Sequence, residues 1–185
     1  MTDTISAYDA QAESFAVRYE SVPADVVHAA LLEFIPRGRD LIALDVGAGS
    51  GRDAAWLASL RYEVVAAEPA AGMRQEAQRR HPDPRIRWLD DRLPDLSAIH
   101  RLGLAFDLIL LSAVWMHVSP PARARAFRKL ATLLKPGGVI LMSLREGPPE
   151  PDRPMIATSS SEATCRLMPS RTRFSPVPLR PGRAG

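Results

Sequence analysis

The residues best suited to chemistry are one aspartate and three glycines at alternate positions: Asp45, Gly47, Gly49 and Gly51, with Ala48 among them. A glycine reaches backbone angles that a Cβ forbids, and it lets a ligand lie directly against the main chain. The apolar run 40–44 predicts a buried parallel strand before them, and residues 53–58 begin a helical pattern after them. A strand, a glycine turn and a helix N-terminus together predict a cofactor site in an open α/β sheet.

The spacing of the glycines indicates which cofactor. The dinucleotide fingerprint G-x-G-x-x-G, started at Gly47, would need its third glycine at position 52, where the chain has Arg52. The pattern D-x-G-x-G-x-G from Asp45 resembles instead motif I of the class I S-adenosylmethionine (SAM)-dependent methyltransferases. The resemblance continues in order over residues 8–145 and includes Leu-Lys-Pro-Gly-Gly at 134–138. It implies SAM as the cofactor.

The resemblance also implies roles for acidic residues at the ends of two later strands. In that family an acid matching Glu68 binds the SAM ribose; alternatively, Glu68 is a solvated surface acid. Asp90, with Asp91 beside it, matches an acid that accepts from the adenine amino group, or it belongs to an acidic turn. Met73 would cover one adenine face, or fill the core. The other cofactor contacts that we expect are Pro69 and Ser112.

The segment after the fourth strand is where a base or a substrate contact would lie. His117 is the candidate catalytic residue, because histidine titrates near neutral pH. The alternative is a histidine packed between loop and helix, and Trp115 is either a wall for the substrate or core. The chain has Ser112-Ala-Val-Trp here, and not the Asn- or Asp-Pro-Pro-aromatic motif of DNA and RNA amino-methyltransferases. We therefore expect a small-molecule acceptor.

Five strands in this order predict an α/β fold with a doubly wound, mostly parallel sheet and helices on both faces. The strands are expected at 40–44, 62–68, 85–91, 106–112 and 139–144. Helices are expected at 8–19, 24–35, 53–60, 70–80 and 119–134. The resemblance implies that the first helix covers the cofactor as a lid; alternatively, this helix packs on the sheet. His28 has no metal partner at helical spacing and is expected at the surface or its boundary, and we expect no metal site.

The composition of the chain argues against nucleic-acid and membrane partners and indicates the compartment. The net charge is +3, but residues 1–146 carry 18 basic and 18 acidic side chains, so the predicted domain has no electrostatic footprint for nucleic acid. No apolar stretch reaches the roughly 20 residues that span a bilayer, and the first residues do not resemble a secretory signal. Cys165 is the only cysteine, which favours a reducing, cytoplasmic setting.

Residues 1–146 form the predicted SAM-binding domain, and 147–185 form a Pro/Arg/Ser-rich tail that we expect to be poorly ordered. The final strands of the family pattern are missing from it, which suggests a truncated or frame-shifted gene. We expect strand five to become an exposed edge through which the chain could form a homodimer. The competing functions are a non-catalytic SAM-binding protein and, less favoured, an NAD(P)-dependent oxidoreductase.

Overall fold

A six-stranded sheet forms the centre of the computed structural model, which describes residues 2–144 and the backbone of 163–166. The strands are β1 (Ile42–Val46), β2 (Glu63–Ala67), β3 (Ile86–Leu89), β4 (Phe106–Ser112), β5 (Leu134–Ser143) and β6 (Ala163–Arg166). Their order across the sheet is β3-β2-β1-β4-β5-β6. The first five strands are parallel, and β6 is antiparallel to β5. The expected doubly wound α/β fold is confirmed.

Seven helices of the described residues surround the sheet. They are α1 (Thr2–Ala10), α2 (Ala12–Glu20), α3 (Ala24–Val27), α4 (Arg52–Ser59), α5 (Ala71–Arg80), α6 (Ser97–Arg101) and α7 (Pro120–Thr132). Short 3-10 helices follow α3 at Ala29–Phe34 and precede α7 at Trp115–His117. α7 begins at two prolines, whose fixed φ suits a first helical turn.

Both faces of the sheet are buried, and the alternation of side chains along each strand shows this directly. In β4, Ile109 and Leu111 belong to one apolar cluster, whereas Leu108 and Leu110 belong to a second cluster on the opposite face. Strands covered on both faces are nearly continuous apolar runs, as this strand is. Helices on both faces therefore follow from the sequence of the strands themselves.

The strand order creates one crevice at the carboxyl ends of the strands. The chain proceeds from β1 outward through β2 to β3, and then returns to the other side of β1 to form β4. The loops after β1 and β4 consequently diverge, and in open α/β sheets ligands bind at such a switch point. The glycines 47, 49 and 51 follow β1 and lie at this point.

Two predicted helices are broken in the structure. The helix expected at 8–19 is interrupted at Gln11, so α1 and α2 meet the surface of α5 as separate helices. The helix expected at 24–35 ends after Val27, because His28 leaves the helical conformation and turns inward. The expectation that His28 lies at the surface was wrong, since its side chain is completely buried against Asp53.

The edge of β5 is not free, contrary to expectation. Strand β6 pairs with it in antiparallel register, from Val139 opposite Arg166 to Met142 opposite Ala163. A four-residue strand in a proline-rich segment gives little signal in the sequence, because strand formation depends on the partner that is offered. A homodimer through this stretch of β5 would have to displace β6. The other tail residues, 145–162 and 167–185, lie outside the described residues, and the domain boundary at 146 stays a prediction.

Candidate functional site

The glycine loop, residues 47–51, is fastened to the end of β2 by its own backbone. The N–H groups of Gly47 and Ala48 both donate to the carbonyl of Ala67, at 2.8 and 3.0 Å. Gly47 has a φ of +70°, and a Cβ placed there would lie 2.5 Å from Cγ2 of Val114. A side chain at position 47 would therefore force the loop away from the segment that follows β4.

The other two glycines serve different purposes. Gly49 has a φ of +54°, and a Cβ there would have no neighbour closer than 3.8 Å. Gly51 has a φ of +87°, and a Cβ there would lie 2.8 Å from Trp88 and 3.0 Å from His81. Position 49 thus leaves space that a ligand can use, whereas position 51 lets α4 pack closely against α5 and β3.

Glu68 joins the end of β2 to the glycine loop. One carboxylate oxygen accepts from the N–H of Gly49 and the other from the N–H of Ala70, both at 2.8 Å. The side chain is buried, with 7% of the residue exposed. Burial raises the pKa of Glu68, and the two backbone hydrogen bonds oppose that shift. This burial excludes the alternative that Glu68 is a solvated acid at the protein surface.

Two further carboxylates, those of Asp45 and Asp53, lie beneath the loop. Asp45, at the end of β1, is 1% exposed, and its Oδ2 has no hydrogen-bond partner among the described residues. Burial, together with the negative charges of Asp53 and Glu68, raises the pKa of Asp45 well above its usual value. We call Asp45, Asp53 and Glu68 the acidic cluster.

Two basic side chains hold Asp53. The guanidinium of Arg52 donates to both of its oxygens, at 2.8 and 3.2 Å, and Nε2 of His28 lies 3.1 Å from Oδ2. Trp56 stacks on the buried ring of His28, with 5.3 Å between ring centroids. Burial raises the pKa of Asp53, but the close contact with His28 and the hydrogen bonds from Arg52 outweigh it and lower that pKa to about 2. Asp53 is therefore ionised next to Asp45.

A cavity of about 420 Å³ opens over the glycine loop and the carboxyl ends of the strands. Of the residues expected from the sequence, nine line it: Gly47, Ala48, Gly49, Glu68, Pro69, Met73, Asp91, Ser112 and His117. Three expected residues do not: Asp45, Gly51 and Asp90. Asp45 and Gly51 support the loop from below, as described above. Most of the residues expected from the sequence therefore line the same cavity.

The two acids after β3 differ in their surroundings. The Asp90 side chain is 70% exposed, and its Oδ2 lies 3.5 Å from the guanidinium of Arg74. Asp91 lines the cavity, and its oxygens accept from the N–H groups of Arg92 and Ile99, at 2.9 and 2.8 Å. Asp91 therefore already holds the turn that leads into α6, and it can offer a ligand only its remaining lone pairs.

The far wall of the cavity comes from the ends of β4 and β5. Ser112 pairs with Ser143 across these strands, and the N–H of Ala113 donates to the carbonyl and the hydroxyl of Ser143. Ala113 has a φ of +54°, which is a strained conformation for a residue with a Cβ. His117 lines the cavity in the following 3-10 helix, while Trp115 packs against the core.

Helices α1 and α2 cover the mouth of this cavity. Ile5, Tyr8 and Tyr19 contribute side chains to its lining, and the ring of Tyr8 meets that of His117 edge-on at 6.2 Å. The Gly72 N–H donates to the carboxylate of Asp9 at 2.7 Å, which fixes the end of α1. The lid arrangement of the first helix, one of the two alternatives, agrees with this geometry.

Arg52 fixes the end of α2. Its guanidinium donates to the carbonyl of Tyr19 at 3.1 Å while it also holds Asp53. A cation at the carboxyl end of a helix is favourable, because the last carbonyls carry partial negative charge. Glu20 supplies another contact through His81, with 3.0 Å between Oε1 and Nε2.

Several residues of the site were missed from the sequence. Arg52 and Asp53 follow the glycines directly, so their position was a usable signal, but their partners His28 and Tyr19 are distant in the chain. Ser143 and the apolar residues after β4 could not be recognised as site residues, because in the sequence they are indistinguishable from a strand end and from core residues.

Among the described residues there is no cluster of His, Cys, Asp and Glu suited to a metal ion. No helix within the described ranges combines the length and the apolar character needed to cross a bilayer.

Comparison with known proteins identifies the family. Residues 43–138 match the family model of a methyltransferase domain, which is more than half of the chain. An uncharacterized methyltransferase of Mycobacterium tuberculosis and one of Mycobacterium bovis are each 31% identical over 131 residues. The match covers 67% of this chain and 64% of each relative, so the chain spans less than two thirds of the relatives' length.

Solved structures show the same fold. A SAM-dependent methyltransferase from Mesorhizobium loti is 26% identical, with a TM-score of 0.55, over 64% of this chain and 53% of its own. A Haloferax volcanii methyltransferase solved with its Trm112 activator is 20% identical, with a TM-score of 0.61, over 74% and 59% of the two chains. The second likeness concerns the fold alone. Given the family match over residues 43–138, the chain belongs to the family of methyltransferase domains.

Proposed function

We propose that this protein transfers a methyl group from SAM to a small-molecule acceptor. The observation that carries the proposal is the contact between Glu68 and Gly49. It places a buried carboxylate and an unobstructed stretch of backbone on the wall of one cavity. A nucleoside needs both, since a carboxylate accepts from ribose hydroxyls and bare backbone allows close approach.

The residues present fit SAM. The acidic cluster brings three buried carboxylates to the glycine loop, and Asp45 keeps one oxygen without a partner among the described residues. Within the acidic cluster Arg52 pairs with Asp53 only, so a ligand with an ammonium and a sulfonium group would add positive charge near Asp45 and Glu68. Glu68 would hold the ribose, and Met73 and Pro69 would contact the adenine. Asp91 would reach its amino group, with Asp90 further out.

When bound, SAM supplies a methyl group already activated for displacement: the acceptor's lone pair bonds to carbon, and the electrons of the broken bond remain on sulfur. The work of the chain is to align the two molecules and to exclude water. Helices α1 and α2 cover the cavity, and Ser112 and Ala113 form the wall that an acceptor would meet. A reaction of this kind needs little acid–base catalysis when the acceptor is a neutral amine or a carbon.

We further propose that His117 receives the proton of an acceptor that carries an O–H or N–H group. It lines the same cavity as Glu68, and Tyr8 meets its ring edge-on. The variant H117A is expected to keep S-adenosylhomocysteine affinity while turnover falls by roughly 10²-fold or more, as for lost general bases. Unchanged turnover would leave His117 as a packed residue.

The test of the proposed function is turnover with radiolabelled SAM. The purified protein is incubated with pools of phenols, amines, carboxylic acids and thiols, and in parallel with transfer RNA and DNA. Label transferred to a small-molecule pool supports the proposal. Label in nucleic acid would contradict the acceptor class, and cofactor binding without transfer to any acceptor would favour a non-catalytic SAM-binding protein. We also propose a cytoplasmic setting, on the strength of the single cysteine, Cys165.

A further inference from the structure

Charge is distributed unevenly around the cavity. The charged side chains that line it all follow β1, β2 or β3: Arg52, Asp53, Glu68, Asp91 and Arg92. The lining residues that follow β4 and β5 include no Asp, Glu, Lys or Arg within the part of the chain that is described. We call this second half the acceptor side.

The walls of the acceptor side are mainly apolar. Val114, Met116 and Val118 line it below, and Ile5 and Tyr8 close it from α1. Met116 and Val118 are almost completely buried, at 1% exposed each, so their side chains are fixed by the surrounding core. An apolar surface of this kind gains free energy only when it covers apolar surface of a ligand.

The polar groups on this side are neutral hydroxyls and one imidazole. The hydroxyls belong to Ser112 and Ser143, and the imidazole to His117. The hydroxyls carry no charge and can form hydrogen bonds with one polar atom of a ligand. A carboxylate or an ammonium placed here would lose its hydration without an Asp, Glu, Lys or Arg to pair with among the described lining residues, which is costly in an apolar surrounding.

The volume limits the size of the acceptor. About 420 Å³ is near the lower end of the range for a pocket that holds one drug-sized ligand. The same cavity has to receive a nucleoside over the glycine loop and Glu68. The cofactor would therefore take most of this volume, and the acceptor has to be small.

On this basis we propose that the acceptor is a neutral, single-ring aromatic molecule with one nucleophilic O–H or N–H group. The inference rests on the proposed function, because it assigns the glycine loop and Glu68 to the cofactor and leaves the acceptor side to the acceptor. The ring packs between Val114, Ile5 and the lid residue Tyr8, and the nucleophilic group lies within reach of His117. Acceptors that carry an ionised group near the nucleophile should bind more weakly, because the described residues of the acceptor side include no Asp, Glu, Lys or Arg.

Three phenols that differ in charge test this directly. They are 4-methylphenol, which is neutral, 4-hydroxybenzoate, which is anionic, and tyramine, which is cationic. The protein is first saturated with S-adenosylhomocysteine, and the dissociation constant of each phenol is then measured by calorimetry or ligand-observed NMR. We expect 4-methylphenol to bind at least tenfold more tightly than either charged phenol.

The substitution Ile5→Arg adds a matched test on the rim of the same cavity. A cation there should strengthen 4-hydroxybenzoate binding at least fivefold, while Ala10→Arg, on an exposed position of the same helix, should leave it unchanged. Equal or tighter binding of a charged phenol to the unsubstituted protein would overturn the inference, and so would binding of none of the three. Failure of S-adenosylhomocysteine to bind in the first step would instead refute the proposed function.

Discussion

The carboxylate of Glu68 accepts a 2.8 Å hydrogen bond from the backbone N–H of Gly49, so the end of β2 and the glycine loop behave as one unit. The other carboxylate oxygen is held equally well by Ala70. The lone pairs that remain on Glu68 are available to the proposed ligand, whose position would then be fixed by the ends of two strands. The contact joins this acid to the glycines although a whole helix separates them in the chain.

Glu68→Gln tests the contact. One of the two backbone N–H groups would then meet an amide nitrogen instead of an oxygen, and the ligand would lose a charged acceptor. We expect S-adenosylhomocysteine affinity to fall about tenfold to a hundredfold, since hydrogen bonds to charged groups contribute roughly 1.5–3 kcal/mol. Calorimetry checks this. Glu63→Gln, at the exposed start of the same strand, is the control and should change nothing.

Two glycines of the loop should respond differently to alanine. Gly51→Ala brings a Cβ to 2.8 Å from Trp88, so it should lower the free energy of unfolding by about 2 kcal/mol or more. Gly49→Ala meets no atom within 3.8 Å and should cost only the left-handed strain of about 1–2 kcal/mol, but its methyl group would occupy ligand space. Urea unfolding and calorimetry together separate the effects. We expect Gly49→Ala to lose more ligand affinity, relative to its loss of stability, than Gly51→Ala. The same ratio of the two losses in both variants would contradict the different roles of these glycines.

Asp45→Asn should stabilise the protein while weakening the ligand. Because burial and the charges of Asp53 and Glu68 raise the pKa of Asp45, its folded form favours the proton. The stability from this group is present below its unfolded pKa and is lost as the pH rises through the folded pKa. At pH 7.5 the asparagine variant should therefore melt a few degrees higher, equivalent to about 1 kcal/mol in a chain of this size.

The pH dependence supplies the control for Asp45→Asn. The advantage of the variant should shrink as the pH falls toward 4, where the aspartate is protonated in the folded protein. S-adenosylhomocysteine should bind the variant more weakly at pH 7.5, since position 45 can then no longer take a negative charge beside a cationic ligand. If the variant is less stable than the original protein at every pH, electrostatic repulsion of Asp45 by Asp53 and Glu68 does not destabilise the folded protein, and the account of the acidic cluster is wrong.

Arg52 is expected to act as a positioning residue for α2. Arg52→Met removes the hydrogen bond to the Tyr19 carbonyl and one partner of Asp53, so the lid should open more often. Stopped-flow measurements should show S-adenosylhomocysteine dissociating roughly fivefold faster, about 1 kcal/mol of binding. Glu20→Gln weakens a separate contact of α2 outside the cavity and should shift the rate in the same direction. If Glu20→Gln leaves the dissociation rate unchanged, the effect of Arg52→Met would come from the loss of Arg52 at the cavity and not from the position of α2.

The parts of the fold that follow periodic rules were predictable. The five parallel strands are apolar runs that end in glycine, acid or serine, and their positions were correct to within a few residues except at β5. Helix α7 was expected to extend to Leu134, but that residue begins β5. The boundary moved because a helix and a strand compete for the same apolar residues, and the partner strand β4 decides.

The parts that depend on distant partners were not predictable. His28 reads as an ordinary helical histidine, yet it is buried because Asp53 and Trp56, in α4, provide a charge and a ring for it. Likewise, no local pattern tells which of Asp90 and Asp91 reaches the cavity. The direction of each side chain is set by the turn into α6, where Ile99 donates to Asp91.

The most direct test is a thermal-shift titration with S-adenosylhomocysteine, with NAD as the comparison ligand. A ligand present at 100 times its dissociation constant should add about 2.7 kcal/mol to the free energy of unfolding, which raises the melting temperature clearly. We predict a rise with S-adenosylhomocysteine that grows with the logarithm of its concentration and that falls by about half or more in Glu68→Gln, and no rise with NAD. A rise with NAD alone would contradict the proposed cofactor, and so would no rise with either ligand.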